Sequence, residues 1–291
     1  MAYGLCEEQP TGCTNTSVGA CGFRYDHGLM LASSPDLSMD SWRLEVDNIV
    51  PVEGRPAGVY YRPKLEYNPT THKFVVWVRY VVGNLHELND NYMVAMADDI
   101  TGPYSITNHN ATVRYWGGAD EDLFVDDDGT AYIVYTSHGA DVHITVDRLA
   151  PDYNTSLGAT DPSQCWCGGG VRPPSMFKRN GYYYVAFGHT CCFCAKGSDL
   201  HVYAAKAPLG PYTYLGDIGR SANGSSTTWS QQNLLQTIGS TQVYGGNRWQ
   251  TAPDGLKDHD FHLWLPLVWD DSVSPPTPAN LTYVAEWDLQ V

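Results

Sequence analysis

The sequence predicts an all-β protein, a single five-bladed β-propeller, from two repeats that share one period. The first is a strand-pair module that recurs as YYRPKLEYNPTTHKFVVWVRY (Tyr60 to Tyr80), ADEDLFVDDDGTAYIVYTS (Ala119 to Ser137) and VRPPSMFKRNGYYYVAFG (Val171 to Gly188). Each copy is a short apolar strand, a polar or Gly turn, and a second strand rich in Tyr, Val and Ile. Their turns fall near Thr70, Asp127 and Arg179, 57 and 52 residues apart. The second repeat, TGPY (Thr101 to Tyr104) and LGPY (Leu209 to Tyr212), runs out of phase and is 108 residues apart, two periods. Short strands repeating at this length form four-stranded blades around a central channel. At about 55 residues per blade, 291 residues make five.

The elements follow in chain order. LMLASS (Leu29 to Ser34) and WRLEV (Trp42 to Val46), joined through SPDLSMDS, read as outer strands of a first blade. Its inner strand is expected either upstream of residue 1 or replaced by the C-terminal YVAEWDLQV (Tyr283 to Val291). Inner strands of the following blades start near Tyr61, Asp120, Arg172 and Ser230, at intervals of 59, 52 and 58 residues. Asp126-Asp127-Asp128-Gly129 has the D-x-D-G spacing of a calcium loop but lacks the distal Glu. It is expected to be a hairpin turn. The last blade reads as four strands, near Trp229 to Thr237, Thr241 to Trp249, Phe261 to Trp269 and Tyr283 to Leu289, with the Pro-rich SVSPPTPANLT before the fourth. No apolar pattern of period 3.6 persists beyond two turns, so almost no helix is expected.

Composition narrows the function classes. The chain has 43% hydrophobic residues with 20 Tyr and 9 Trp, enough for a packed core. A formal net charge of −15 argues against nucleic acid and anionic membrane surfaces, and no apolar run reaches spanning length. Eight cysteines fall in two clusters: Cys6, Cys13 and Cys21, then Cys165, Cys167, Cys191, Cys192 and Cys194. Three and five are odd numbers, so full oxidation requires a bridge between the clusters. Zinc is the rival reading for CWC and CCFC, but the spacings are tighter than metal pairs use and no His is suitably placed. Five N-x-S/T sequons, at Asn15, Asn110, Asn154, Asn223 and Asn280, lie in polar stretches. Together these favour disulfides, glycosylation and a secreted, extracellular protein of the eukaryotic secretory pathway. The start MAYGLCEEQP carries no signal peptide, so a mature or trimmed form is expected.

RPKLEYNPTTHKFVVWV, DLFVDDDGTAYIVY, PPSMFKRNGYYYV, the GPY turns and GGNRW…WLPL, in that order over roughly residues 28 to 269, resemble glycoside hydrolase family 43. The likeness is greatest to its fungal and bacterial exo-β-1,3-galactanases. The resemblance implies a five-bladed propeller acting on galactan or arabinan-type side chains. It also implies a catalytic base, an acid-tuning Asp and a general-acid Glu around the funnel. An inverting glycosidase needs its acid and base about 6.5–9.5 Å apart.

Mapped onto this chain, the resemblance implies a degenerate site. Asp120 stands at the acid-tuning position. The general-acid Glu, five residues before Phe177, is replaced by Arg172, whose guanidinium cannot release a proton at any useful pH. Arg172 is expected in the funnel facing Asp120, either to grip a carboxylate or to prop up an inactive site. Tyr61 replaces a Glu that precedes RPK in the galactanases, and Arg62 is expected to tie strands together. Gln231 or Gln232 matches the galactanases' positioning Gln. Trp116, Trp166, Trp229 and Trp249 are candidate sugar platforms, each with blade packing as the alternative. His259, between Asp258 and Asp260, would hold a cation or water in the funnel, or lie in an exposed loop. No cofactor is expected beyond an optional structural calcium. The expected partner is a polysaccharide or other glycan, with protein partners in an extracellular assembly left open. Two functions remain. One is a carbohydrate-binding or structural pseudo-enzyme. The other is an active exo-acting hydrolase whose acid comes from Asp120 or Glu121.

Overall fold

The computed structural model describes residues 28–82, 90–115, 118–138, 142–158, 165–166, 171–189, 195–254 and 259–289. Among them the fold is an all-β propeller. Four antiparallel blades succeed one another. Blade A comprises β3 (Val59–Asn68), β4 (Lys73–Val81), β5 (Asp90–Ala97) and β6 (Ser105–Ala111); blade B comprises β7 (Gly118–Val125), β8 (Ala131–His138), β9 (Val142–Leu149) and β10 (Ser156–Gly158), with β11 (Cys165–Trp166) also paired to β9. Blade C comprises β12 (Val171–Arg179), β13 (Tyr182–His189), β14 (His201–Ala205) and β15 (Thr213–Asp217); blade D comprises β16 (Gln231–Ile238), β17 (Thr241–Arg248) and β18 (Phe261–Pro266). Two smaller pairs, β1 (Leu31–Ser33) with β2 (Arg43–Val46) and β19 (Trp269–Asp270) with β20 (Thr277–Pro278), complete the sheets. Among the described residues helix is confined to a 3-10 turn at Val52–Gly54 and the single 3-10 position His259.

The second strands of blades A, B and C read as near-continuous apolar runs because both of their faces are covered. Side chains alternate across a strand, so neighbours in β4 pack into different interfaces. Val75 and Trp77 meet Leu123, Ile133 and Tyr135 of blade B, whereas Val76 and Val78 meet Leu29, Ile49 and Val50 beside the β1–β2 pair. In β8, Tyr132 and Val134 turn instead to Met176, Val185 and Phe187 of blade C, and blade C in turn packs Phe177, Tyr184 and Val202 on Tyr244, Leu263 and Leu265 of blade D. The core is therefore a series of inter-blade seams. The β1–β2 pair lies on blade A through Leu31 and Val46, and Trp42, just before β2, stacks on Trp264 of β18 with ring centroids 5.9 Å apart.

Turn chemistry explains both repeats. Asn180 and Gly181 both have positive φ, 48° and 72°, as a two-residue hairpin turn requires. Asp126 to Gly129 is also a turn: the Gly129 N–H donates to the Asp126 carbonyl at 2.9 Å, and Gly129 has φ +79°. TGPY and LGPY connect the third and fourth strands of blades A and C. The Tyr104 and Tyr212 hydroxyls each donate to a carbonyl four residues back, on Ile100 and Pro208.

The C-terminal segment departs from the expected fourth strand of blade D. Residues 283–289 form no strand. Leu281 donates its N–H to the Ile218 carbonyl at 2.8 Å and packs in the seam with blade C, which draws the chain away from the β18 ladder. Beyond it, Trp287 is held by one indole N–H bond to the Trp264 carbonyl at 2.9 Å. Blade D thus has three strands, and Tyr283 to Leu289 does not supply an inner strand for the β1–β2 pair.

Trp77 is wholly buried between blades A and B and donates its indole N–H to the Tyr153 carbonyl at 2.7 Å. Trp77→Ala is expected to lower stability by about 3–5 kcal/mol in urea unfolding, whereas Met39→Ala, on an exposed side chain, should change it by no more than about 0.5 kcal/mol. Equal midpoints for the two variants would contradict the seam assignment.

Candidate active site

The four inner strands β3, β7, β12 and β16 line a hub, and each carries a register shift close to its start. The shifts fall between Tyr61 and Lys64, Gly118 and Glu121, Arg172 and Ser175, and Gln232 and Leu234. A bulge re-aims the side chains at its position, and this one recurs in every inner strand. Arg62, in the first, has φ +48°. Asp120 lies in the second.

These bulges assemble a polar ring. The Asp120 carboxylate is 5% exposed, and its Oδ1 meets Arg62 Nε and Arg79 Nη1, both at 3.0 Å. Arg62 Nη1 also donates to Asn233 Oδ1 of β16 at 2.5 Å. Lys64 Nζ pairs with Asp122 Oδ1 at 3.0 Å, and Asp122 Oδ2 accepts the Met176 N–H of β12 at 3.3 Å. Ser175 of β12 closes the ring by accepting from Gln232 Nε2 at 2.9 Å and from the Leu235 N–H at 3.1 Å. Side chains thus lace β3 to β7, β7 to β12, β12 to β16 and β16 back to β3. Arg62 ties strands together, as the sequence predicts.

Two further carboxyls sit in or beside this ring. Glu121 is completely buried, and among the described residues neither of its oxygens meets a hydrogen-bond donor. Burial drives its pKa well above the usual range, against the nearby Arg79 and with the repulsion of Asp120. Enclosed in this way, Glu121 does not reach a sugar. Glu66 lines a cleft of about 1710 Å³ that runs along the hub beside Lys64, Asp122, Asn233 and Trp264. Burial, with the charge of Asp122, pushes Glu66 up to about 7 despite Lys64.

The other candidates are placed as follows. Tyr61 is half-buried, and the Arg79 guanidinium lies 5.6 Å from its ring centre. Gln231 is buried, and its Oε1 accepts the Trp249 indole N–H at 2.8 Å. Trp249 is only 3% exposed, so its ring packs inside blade D and offers no face to a sugar. Trp229 is 51% exposed, with φ +48°, immediately before Ser230 and Gln231. His259 is an exposed loop residue whose Nδ1 lies 2.6 Å from Asp254 Oδ2. Asn110, Asn223 and Asn280 are exposed and Asn154 is half-buried. Trp116, Asn15, Cys6, Cys13, Cys21, Cys167, Cys191, Cys192 and Cys194 lie outside the described residues. Arg172, Cys165 and Trp166 are placed in strands, but their side chains, and with them the expected Arg172–Asp120 pairing, also lie outside what is described.

Sequence reasoning missed Arg79, Lys64, Glu66, Asp122 and Asn233. A signal was present for most of them. Charges recur two residues apart in RPKLE and in DED, the spacing of one strand face, and Arg79 interrupts an otherwise apolar strand.

The sequence model of Glycosyl hydrolases family 43 matches residues 22–238. No curated protein matches the chain significantly. Among solved structures, a GH43 β-1,3-galactosidase aligns with a TM-score of 0.74 at 22% identity, over 90% of this chain and 54% of that one. The exo-β-1,3-galactanase of Phanerochaete chrysosporium, solved with β-1,3-galactotriose, aligns with a TM-score of 0.69 at 26% identity, over 88% of this chain and 56% of that one. An endo-1,4-β-xylanase of Bacteroides thetaiotaomicron shares the fold with a TM-score of 0.64 at 19% identity, covering 89% and 88%. The chain spans about half the length of the first two.

Two outcomes test the hub. Asp120→Ala leaves two buried guanidinium groups without their shared carboxylate and is expected to cost about 3–5 kcal/mol in chemical denaturation; a loss under about 1 kcal/mol would show that the ring is not structural. Because the folded state raises the Glu66 pKa, its contribution is intact below pH 4.5 and is lost as pH climbs toward 7. Glu66→Gln should therefore flatten the stability profile between those limits and gain about 1–3 kcal/mol over the parent at pH 8. An unchanged profile would place Glu66 in contact with solvent.

Proposed function

The chain belongs to glycosyl hydrolases family 43, and from that premise we propose that it is a secreted, five-bladed propeller that binds β-1,3-linked galactan or related side chains and has lost the family's hydrolysis. The β1–β2 pair would be the outer part of the fifth blade, a reading supported by its contacts with blade A and with Trp264 of blade D. Exposed sequons at Asn110, Asn223 and Asn280 support the extracellular setting.

One observation carries the loss of catalysis: the general-acid position holds Arg172, and Asp120, at the acid-tuning position, is buried and shared by Arg62 and Arg79. A carboxylate occupied by two guanidinium groups is not presented to a substrate as a stand-in for the missing acid. The acid position carries Arg172, and Gln231, occupied by Trp249, is neutral. A positioned general acid contributes about 10²–10⁴-fold, and no residue at those positions supplies it. Binding asks less. Trp229 offers an exposed indole two residues before Gln231 in the chain, and sugar C–H faces pack on such rings.

The active reading draws on Glu66, which retains its proton up to about pH 7 beside Asp122 in the cleft. It would require a substrate to reach the middle of the hub and would make turnover depend on Glu66.

Calorimetry and product release on one preparation separate these readings. We expect β-1,3-galactooligosaccharide binding that weakens about tenfold in Trp229→Ala, with no release of galactose above background. Turnover at about 1–10³ per second, the usual enzymatic range, abolished by Glu66→Gln, would establish the hydrolase instead. An absence of binding to any galactan or arabinan would leave a structural role.

A further inference from the structure

We propose that His189, Asp199 and His201, on the blade C rim at the end of the molecule where the inner strands begin, form a site for a divalent transition metal, with Zn²⁺ the best-suited ion. The proposal is independent of the sugar reading. One ligand atom from each residue falls within 4.8 Å of the others. His189 Nδ1 and His201 Nε2 both lie 3.2 Å from Asp199 Oδ2. Ligands at about 2.0–2.2 Å around a tetrahedral zinc are separated by roughly 3.3 Å, so the two measured edges already have the size such an ion needs. Two imidazoles and one carboxylate are a zinc-type donor set and a poor one for calcium or magnesium.

The surrounding structure holds these ligands. Asp199 Oδ1 accepts the His189 backbone N–H, which leaves Oδ2 to face both rings. His201 Nδ1 lies 3.0 Å from the Tyr214 hydroxyl. In the tautomer that donates Nδ1–H to Tyr214, the Nε2 lone pair faces Oδ2, and an outer partner of this kind commonly orients a metal-bound His. A Cβ at Gly188 in β13, or at Gly219 just after β15, would collide with the backbone at Asp199 and Leu200, so the two glycines let this segment pack closely against both neighbours. Both histidines keep some solvent exposure, at 30% and 20% of the side chain, which provides an entry path and room for a water as fourth ligand.

Arg220 is the competitor. Its Nε and Nη2 lie 3.3 and 3.2 Å from the same Oδ2, so four nitrogens converge on one oxygen. Arg220 is 44% exposed and has other partners, Asp217 Oδ2 at 3.6 Å and the Gly224 carbonyl at 2.6 Å. A metal ion can therefore take its place at Oδ2 while those contacts persist.

The test is titration of the chelator-treated full chain with Zn²⁺ and Co²⁺. We expect one site, Co²⁺ absorption bands of tetrahedral intensity without thiolate charge-transfer, and at least tenfold weaker binding in His189→Ala and in His201→Ala. Arg220→Gln should bind Zn²⁺ more tightly than the parent, because the competing cation is gone, and it leaves every ligand in place should a His variant fail to fold. No tetrahedral Co²⁺ signal in the parent, a signal dominated by thiolate, or Zn²⁺ binding that Arg220→Gln weakens would overturn the proposal.

Discussion

The two guanidinium groups that share the buried Asp120 carboxylate are the contact on which the hub depends. A propeller must bring its inner strands together without the continuous hydrogen-bond ladder that joins strands within a blade. Here side chains do this work. Arg62 reaches β7 through Asp120 and β16 through Asn233, so one residue links inner strands on both sides of its own blade. Each of these charges is expensive to bury alone and tolerable only while its partners stay in place. The recurrent bulges make the ring possible, because they turn the residues near the strand starts toward the axis.

The same arrangement shapes the chemistry. A carboxylate used as an acid or base must exchange protons with substrate or water during the cycle. Asp120 is withdrawn from that role by its two cations, and Glu121 by complete burial. Gln231 is neutral and engaged by Trp249. Open to solvent are the cleft beside Glu66, Lys64 and Asp122 and, near the start of β16, the indole of Trp229. On the proposed reading the site keeps surfaces for a sugar while its described family-position groups no longer carry the proton traffic that cleaves one. The endo-xylanase neighbour shows how widely this fold is shared.

Much of the architecture was legible because a propeller writes its period into the chain. Apolar second strands, the Asn180-Gly181 turn and the two GPY connectors are local features with local physical causes. The strand pair at Leu31–Ser33 and Arg43–Val46 was legible for the same reason. Tyr283 to Leu289 was misread because its alternation resembles a strand, while its fate is decided by Leu281, captured by the neighbouring blade. The convergence of Arg62 and Arg79 on Asp120 was not legible because they come from β3 and β4, more than 40 residues earlier, and adjacency of that kind is a property of the closed ring. Arg79 and Arg62 converge on Asp120 only once the bulges have formed.

A structure of the protein with β-1,3-galactotriose tests the central claim most directly, with the distance from the glycosidic oxygen to the nearest carboxyl as its readout. The account predicts an intact trisaccharide over Trp229 and no carboxyl within hydrogen-bond reach of that oxygen, about 3.2 Å. A cleaved product, with Glu66, Asp122 or Asp120 freed from its partners and poised at the anomeric centre, would contradict it.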